Sequence, residues 1–127
     1  MTKKPLLIIA EIGVNHNGDI KLAKKLIDKA KDCGADFVKF QIYETTNMVT
    51  KNAPKAKYQI NKKNSKETHY EMLKKYEVNS NFLKKISDYS KKKKINFLAS
   101  VFDLNSLNIL KKINPKYIKI PSGEITN

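Results

Sequence analysis

The six residues FVKFQI at positions 37–42 carry two patterns at once. Val38, Phe40 and Ile42 alternate with Phe37, Lys39 and Gln41, and alternate residues of a strand share a face. One face is wholly apolar. The other places an ammonium and an amide toward the strand's C-terminal end, where a residue that only filled a core would carry neither.

Working outward, the same theme recurs. Leu6 to Ala10 is a continuous aliphatic run, read as a first strand buried on both faces. It leads into Glu11, with Leu7, Ile9 and Glu11 on one face, and then into the turn Asn15-His16-Asn17-Gly18. Asp19 can cap a helix in which Ile20, Ala23, Leu26, Ile27, Ala30 and Cys33 recur at helical spacing, and Gly34 closes it. Cys33 is accordingly expected to face the core. A long polar excursion, from Tyr43 to about Asn79, holds Pro54 and a short helix around Glu67 to Tyr76. Ser80 opens another helix with Phe82, Leu83, Ile86 and Tyr89 apolar, ending near Lys94. Asn96 to Val101 is the third strand. Asp103 caps a helix carrying Leu104, Leu107, Leu110 and Ile113, and Tyr117 to Ile120 is the fourth strand. The order β-α-β-α-β-α-β, without hairpin signals, means a parallel sheet with right-handed crossovers. A doubly wound sheet and a (β/α)8 barrel both fit, and four strands make half of the latter. The 127 residues are therefore expected to be the first half of a longer protein.

Composition narrows the function classes. Hydrophobic residues make up 40% of the chain, enough for a core, and the mean hydropathy is −0.56. No apolar run approaches the roughly 20 residues of a membrane helix, and the short run after the N-terminal lysines does not read as a signal peptide; a cytoplasmic protein without a membrane partner is expected. The single cysteine rules out an internal disulfide. A formal net charge of +14 invites a nucleic-acid-binding reading. Against it, all 26 basic residues are lysine, and arginine does most bidentate recognition of bases and phosphates. The run Lys91–Lys94 reads as a helix C-terminus, where cations favour the helix dipole.

The polar residues at the strand ends remain. Glu11, Lys39, Gln41, Ser100, Lys119, Ser122 and Glu124 all fall at or just beyond the C-terminal ends of strands, where α/β proteins place their sites. Two lysines with serine hydroxyls suit a phosphorylated or carboxylated ligand. The carboxylates Glu11 and Glu124 suit acid–base work or the orientation of a bound metal and its water.

Four stretches, AEIGVNHNGD (10–19), GADFVKFQ (34–41), FLASVFD (97–103) and YIKIPSGEITN (117–127), resemble in order four motifs of the sialic acid synthases. KIPSGEITN and the excursion are most similar to the bacterial N,N'-diacetyllegionaminate synthases. The resemblance implies a (β/α)8 TIM barrel, of which these residues would be the N-terminal half. It also implies condensation of phosphoenolpyruvate with an N-acetylated amino sugar, of the N-acetylmannosamine or 2,4-diacetamido-2,4,6-trideoxymannose type, giving a nonulosonic acid and phosphate. By the same resemblance, Lys39, Ser100, Lys119 and Ser122 match positions that hold the phosphate and carboxylate of phosphoenolpyruvate. Gln41 and, in the excursion, Asn64 match sugar contacts. Glu11 matches a carboxylate beside the reacting aldehyde and the metal-bound water, and Glu124 a second active-site carboxylate. Ser100 stands where threonine is common, which keeps the hydroxyl, and Val101 replaces a frequent proline.

The family's divalent metal, Mn²⁺ or Mg²⁺, is implied to take its histidine ligands from outside this chain, so no metal ligand is expected here. His16 reads as a loop residue supporting the site and His69 as a surface residue. The remaining barrel and a C-terminal antifreeze-like domain, which completes the partner's site in a homodimer, are likewise not in these residues; the fragment alone is expected to be inactive. Two alternatives are another phosphoenolpyruvate-dependent aldol-type sugar-acid synthase and a basic nucleic-acid-binding module.

Overall fold

The computed structural model describes residues 6–60 and 66–127. Four strands, β1 (Ile9–Gly13), β2 (Phe37–Ile42), β3 (Asn96–Val101) and β4 (Ile118–Lys119), run parallel and lie side by side in chain order. Helix α1 (Ile20–Asp32) joins β1 to β2. Between β2 and β3 come the short α2 (Thr45–Met48), a 3-10 turn (Lys57–Gln59), α3 (His69–Tyr76) and α4 (Ser80–Lys92). Helix α5 (Leu104–Ile113) joins β3 to β4, and a 3-10 turn (Ser122–Glu124) follows. A doubly wound sheet would reverse its strand order at a switch point. Strands that succeed one another without reversal are those of a (β/α)8 barrel, here four of them.

All the long helices lie on one side. Val38, Phe40, Ile42, Phe97 and Ala99 of the sheet form one buried cluster with Ala23 and Ile27 of α1, Leu83 and Ile86 of α4 and Leu110 of α5. These are the residues of one strand parity, which is why FVKFQI buries Val38, Phe40 and Ile42 behind helices. The opposite parity forms the other face, with Phe37 and Leu98 buried among its polar neighbours.

Local signals set the helix ends. Asp19, Thr68, Asn79 and Asp103 each accept a backbone N–H of the first helical turn, so four helices are capped by side-chain oxygens. Thr68 and Glu71 cap each other's backbone N–H groups at the start of α3. Gly34, at φ +81°, takes the left-handed conformation that ends α1. The lysine run closes α4, with Lys91 and Lys92 in its last turn and Lys93 paired to Asp28 of α1 at 2.8 Å.

Three expectations need correction. The first strand is not Leu6 to Ala10 buried on both faces. The β1–β2 ladder runs from Ile9 to Gly13, and Leu6, Leu7, Ile8 and Ile9 are 48–69% exposed. Ile8 is anchored at the ladder's edge, its carbonyl accepting from Asp36 and Phe37 and its N–H donating to Asp36 Oδ2 at 2.8 Å. The ladder then continues past the aliphatic run because the charges of Glu11 and Lys39 pair across it. Cys33 is exposed rather than core-facing, since the helix stops at Asp32 and Cys33 caps it. Leu104, the first residue of α5, is 78% exposed, and the buried stripe begins only a turn later and centres on Leu110.

Candidate active site

The sheet register assembles the site. On the face away from the helices, Glu11 of β1 lies beside Lys39 of β2, which lies beside Leu98 of β3. Two residues further toward the C-terminal ends, Gln41, Ser100 and Lys119 form a second row across β2, β3 and β4. Five of the seven residues singled out at described strand ends thus stand in two adjacent rows.

Lys39 and Glu11 form an ion pair across the first row. The lysine side chain is only 17% exposed and the glutamate side chain 47%. A largely buried ammonium without a partner would carry a desolvation cost of several kcal/mol, and Glu11 offsets it. Ser100 is buried, 3% exposed. Lys119 is exposed on the short β4, and its ammonium donates to the carbonyl of Ile120 at 2.7 Å.

Gly13 has no counterpart among the residues singled out from the sequence. The β1–β2 register shifts between Glu11 and Gly13, so Ile12 enters the core as an extra residue while Gly13 pairs with Phe40. At φ +55°, Gly13 adopts a conformation that side chains disfavour. A Cβ there would stand 3.1 Å from Glu11 Oε1 and 3.7 Å from Gln41 Nε2. The missing side chain leaves a gap that both polar groups border. Its only signal in sequence was a glycine directly following the strand's glutamate and isoleucine.

His16 is fully buried, which its place in a polar turn concealed. Its Nδ1 accepts the backbone N–H of Gly18 at 3.0 Å, shaping the turn that leads into α1. The ring packs against Phe82 and Phe40, with centroids at 5.0 and 5.8 Å. Nε2 has no hydrogen-bond partner, and burial holds the imidazole's pKa below its ordinary value. The turn is therefore held by a neutral histidine. His69, half-buried, opens α3, its backbone N–H donating to Ala53.

Ser122 and Glu124 lie on the 3-10 turn beyond β4. The Glu124 carboxylate accepts from Asn127 Nδ2 at 2.7 Å, and neither residue bonds to the Glu11–Lys39 pair. Asn64 falls outside the described residues. Among those described, no group of three or more His, Cys, Asp or Glu side chains is placed to hold a metal ion, and no helix is long and apolar enough to cross a membrane. A groove of about 490 Å³ between α4 and α5, with Lys84, Asp88, Lys91 and Lys112 in its wall, lies on the helical side of the sheet. It contains none of the strand-end residues.

The excursion is tied down beside the C-terminal end of β2. The Glu77 carboxylate accepts from the backbone N–H and hydroxyl of buried Thr45, at 2.9 and 2.7 Å, and from Lys74 at 2.7 Å. Burial pushes the Glu77 carboxyl up, but the Lys74 and Thr45 hydrogen bonds outweigh it and hold the pKa below the usual range. Tyr43 donates to the carbonyl of Leu73 at 3.0 Å, and its burial raises the phenol pKa.

Residues 26–127 match the model of the NeuB family. The chain belongs to the NeuB family. That match spans Lys39, Gln41, Ser100, Lys119, Ser122 and Glu124, and whole-chain similarity adds β1. The chain is 48% identical to an N,N'-diacetyllegionaminic acid synthase of Campylobacter jejuni over 124 residues, covering 98% of this chain and 37% of that protein. It is 46% identical to the enzyme of the same name from Legionella pneumophila, covering 94% of this chain and 34% of the other. Among solved structures, an N-acetylneuraminic acid synthetase from Leptospira borgpetersenii in complex with citrate superimposes with a TM-score of 0.75 at 34% identity. The superposition covers 91% of this chain and 36% of that one. This NeuB chain therefore spans about a third of the length of the relatives it matches.

Proposed function

We propose that the full-length protein condenses phosphoenolpyruvate with an N-acetylated amino sugar to form a nonulosonic acid and phosphate, with legionaminic acid the first candidate product. The observation that carries this reading is the pair of in-register rows, Glu11–Lys39 and Gln41–Ser100–Lys119, on the face away from α1, α4 and α5 at the strands' C-terminal ends. Identity of 46–48% to two diacetyllegionaminic acid synthases supports the choice of product.

In this reading C3 of phosphoenolpyruvate forms a bond to the aldehyde carbon of the open-chain sugar. Water adds at C2, and phosphate leaves by C–O cleavage. Lys39 and Lys119, with the hydroxyls of Ser100 and Ser122, hold the phosphate and carboxylate, and their donors stabilise the charge that develops as phosphate departs. Gln41, and Asn64 in the excursion, contact the sugar. Glu11 manages the proton of the attacking water or of the new alkoxide, and Glu124 is the second carboxylate of the site. The divalent cation of this proposal, Mn²⁺ or Mg²⁺, would be held by residues outside this chain, as the family resemblance implies. We further propose a cytoplasmic homodimer for the full-length enzyme.

The test is turnover by the full-length enzyme with phosphoenolpyruvate and each of three sugars: 2,4-diacetamido-2,4,6-trideoxymannose, N-acetylmannosamine and a phosphorylated aldose. Phosphate release with a new nonulosonic acid by mass spectrometry is expected with the first sugar above all. Turnover only with the phosphorylated aldose would point to a different sugar-acid synthase. No turnover with any would overturn the proposal.

A further inference from the structure

Lys39 has two claims on it. In the structure it is paired with Glu11, while the proposed function, on which this inference rests, gives the same ammonium to an anionic group of phosphoenolpyruvate. Its largely buried position leaves little water to screen two anions gathered on one cation. Glu11 has somewhere else to go. Its carboxylate is about half exposed, and it lies over Gly13, where the absent Cβ leaves one gap shared with the Gln41 amide.

We propose that Glu11 is the site's own competing anion, occupying Lys39 until phosphoenolpyruvate takes its place. Binding transfers Lys39 from the Glu11 carboxylate to the ligand and releases that carboxylate across Gly13 toward Gln41, on the sugar side. The exchange keeps the buried ammonium neutralised at every stage. It also ties the freeing of Glu11 to the arrival of the first substrate, so the group that handles protons is released only in a loaded site. No bond is made or broken; one ion pair replaces another.

The experiment measures phosphoenolpyruvate binding by calorimetry to the full-length enzyme with no sugar present. Wild type is compared with Glu11→Gln, Glu11→Ala, Lys39→Ala and the Glu11→Gln/Lys39→Ala double variant. Removing a competitor of a partly exposed pair should tighten binding about two- to tenfold in both Glu11 variants, although both lose turnover. The gain should vanish in the Lys39→Ala background, since no ammonium is left to contest. Glu11 variants that bind no tighter than wild type, with Lys39→Ala still weakened, would overturn the exchange and leave the proposed function standing. An equal gain with and without Lys39 would also overturn it, because the effect would then be general repulsion. Lys39→Ala binding as wild type does would remove the lysine from the ligand and take both readings down together.

Discussion

The Asp103 carboxylate reaches across the top of the sheet to accept the backbone N–H of Glu44 at 2.8 Å, while its other oxygen caps α5 through Ser106 N–H at 2.8 Å. One side chain thereby fixes both the exit of β2 and the entry of α5.

Asp103→Ala should therefore cost more than an ordinary cap. Loss of a cap alone is worth about 0.5–2 kcal/mol, and the orphaned Glu44 N–H adds about 1–3 kcal/mol. Thermal denaturation of the full-length enzyme should show a clearly lowered midpoint. Asp103→Asn, which keeps one acceptor oxygen, should lie between. A midpoint unchanged in the alanine variant would mean that the two ends are held by something else.

Lys39→Ala and Lys119→Ala should each lower kcat/KM for phosphoenolpyruvate at least tenfold. A lost charge-assisted contact of about 1.5–3 kcal/mol gives that size. Steady-state kinetics with the sugar saturating reads the effect directly, and wild-type values in either variant would remove that lysine from the site.

Glu11→Gln keeps the shape of the side chain and removes its charge, so kcat should fall by roughly 10² or more if the carboxylate moves a proton in the reaction. Near-normal kcat would reduce Glu11 to a partner for Lys39.

Gly13→Ala brings a methyl group to 3.1 Å from Glu11 Oε1 at a backbone φ of +55°. The strained conformation costs about 1–2 kcal/mol, and the carboxylate must move. Both stability and kcat should fall, with kcat falling further than unfolding can explain when assayed well below the melting midpoint. A variant with normal kcat would show that the gap at Gly13 is not used.

His16 gives the pH dependence a sign. Its folded-state pKa is lowered by burial, so the unfolded chain binds the proton more readily. The stability that the neutral ring contributes is complete above the unfolded value of about 6.5 and is lost progressively as the pH falls below it. His16→Asn can still accept the Gly18 N–H but does not titrate. The midpoint of wild type should drop between pH 7 and 5 more steeply than that of the variant, and parallel profiles would acquit the histidine.

Two strands whose faces differ in chemistry were legible residue for residue, since β2 and β3 begin and end where alternation placed them, whereas β4, expected over Tyr117–Ile120, pairs only at Ile118 and Lys119. A run of five aliphatics has no such period, so β1 slid along it, and only pairing with β2 shows that the ladder's useful end lies at Glu11. The Glu11–Lys39 neighbourhood could be guessed from strand ends, but its contact depends on inter-strand register, which no single segment contains. The burial of His16 was hidden for a similar reason, because Phe82 lies 66 positions away and comes to the ring only through packing of α4. Cys33 and Leu104 misled because helical spacing holds only while the helix does, and both sit at an end.

Because every long helix packs on one parity of the strands, mutational tolerance along β2 should itself alternate. A library randomised at Val38, Phe40 and Ile42 would be depleted for folding, whereas one at Lys39 and Gln41 would retain foldable clones and lose activity instead. The sheet thus offers protein engineers a natural partition: one strand parity can be varied while the hydrophobic cluster is left untouched.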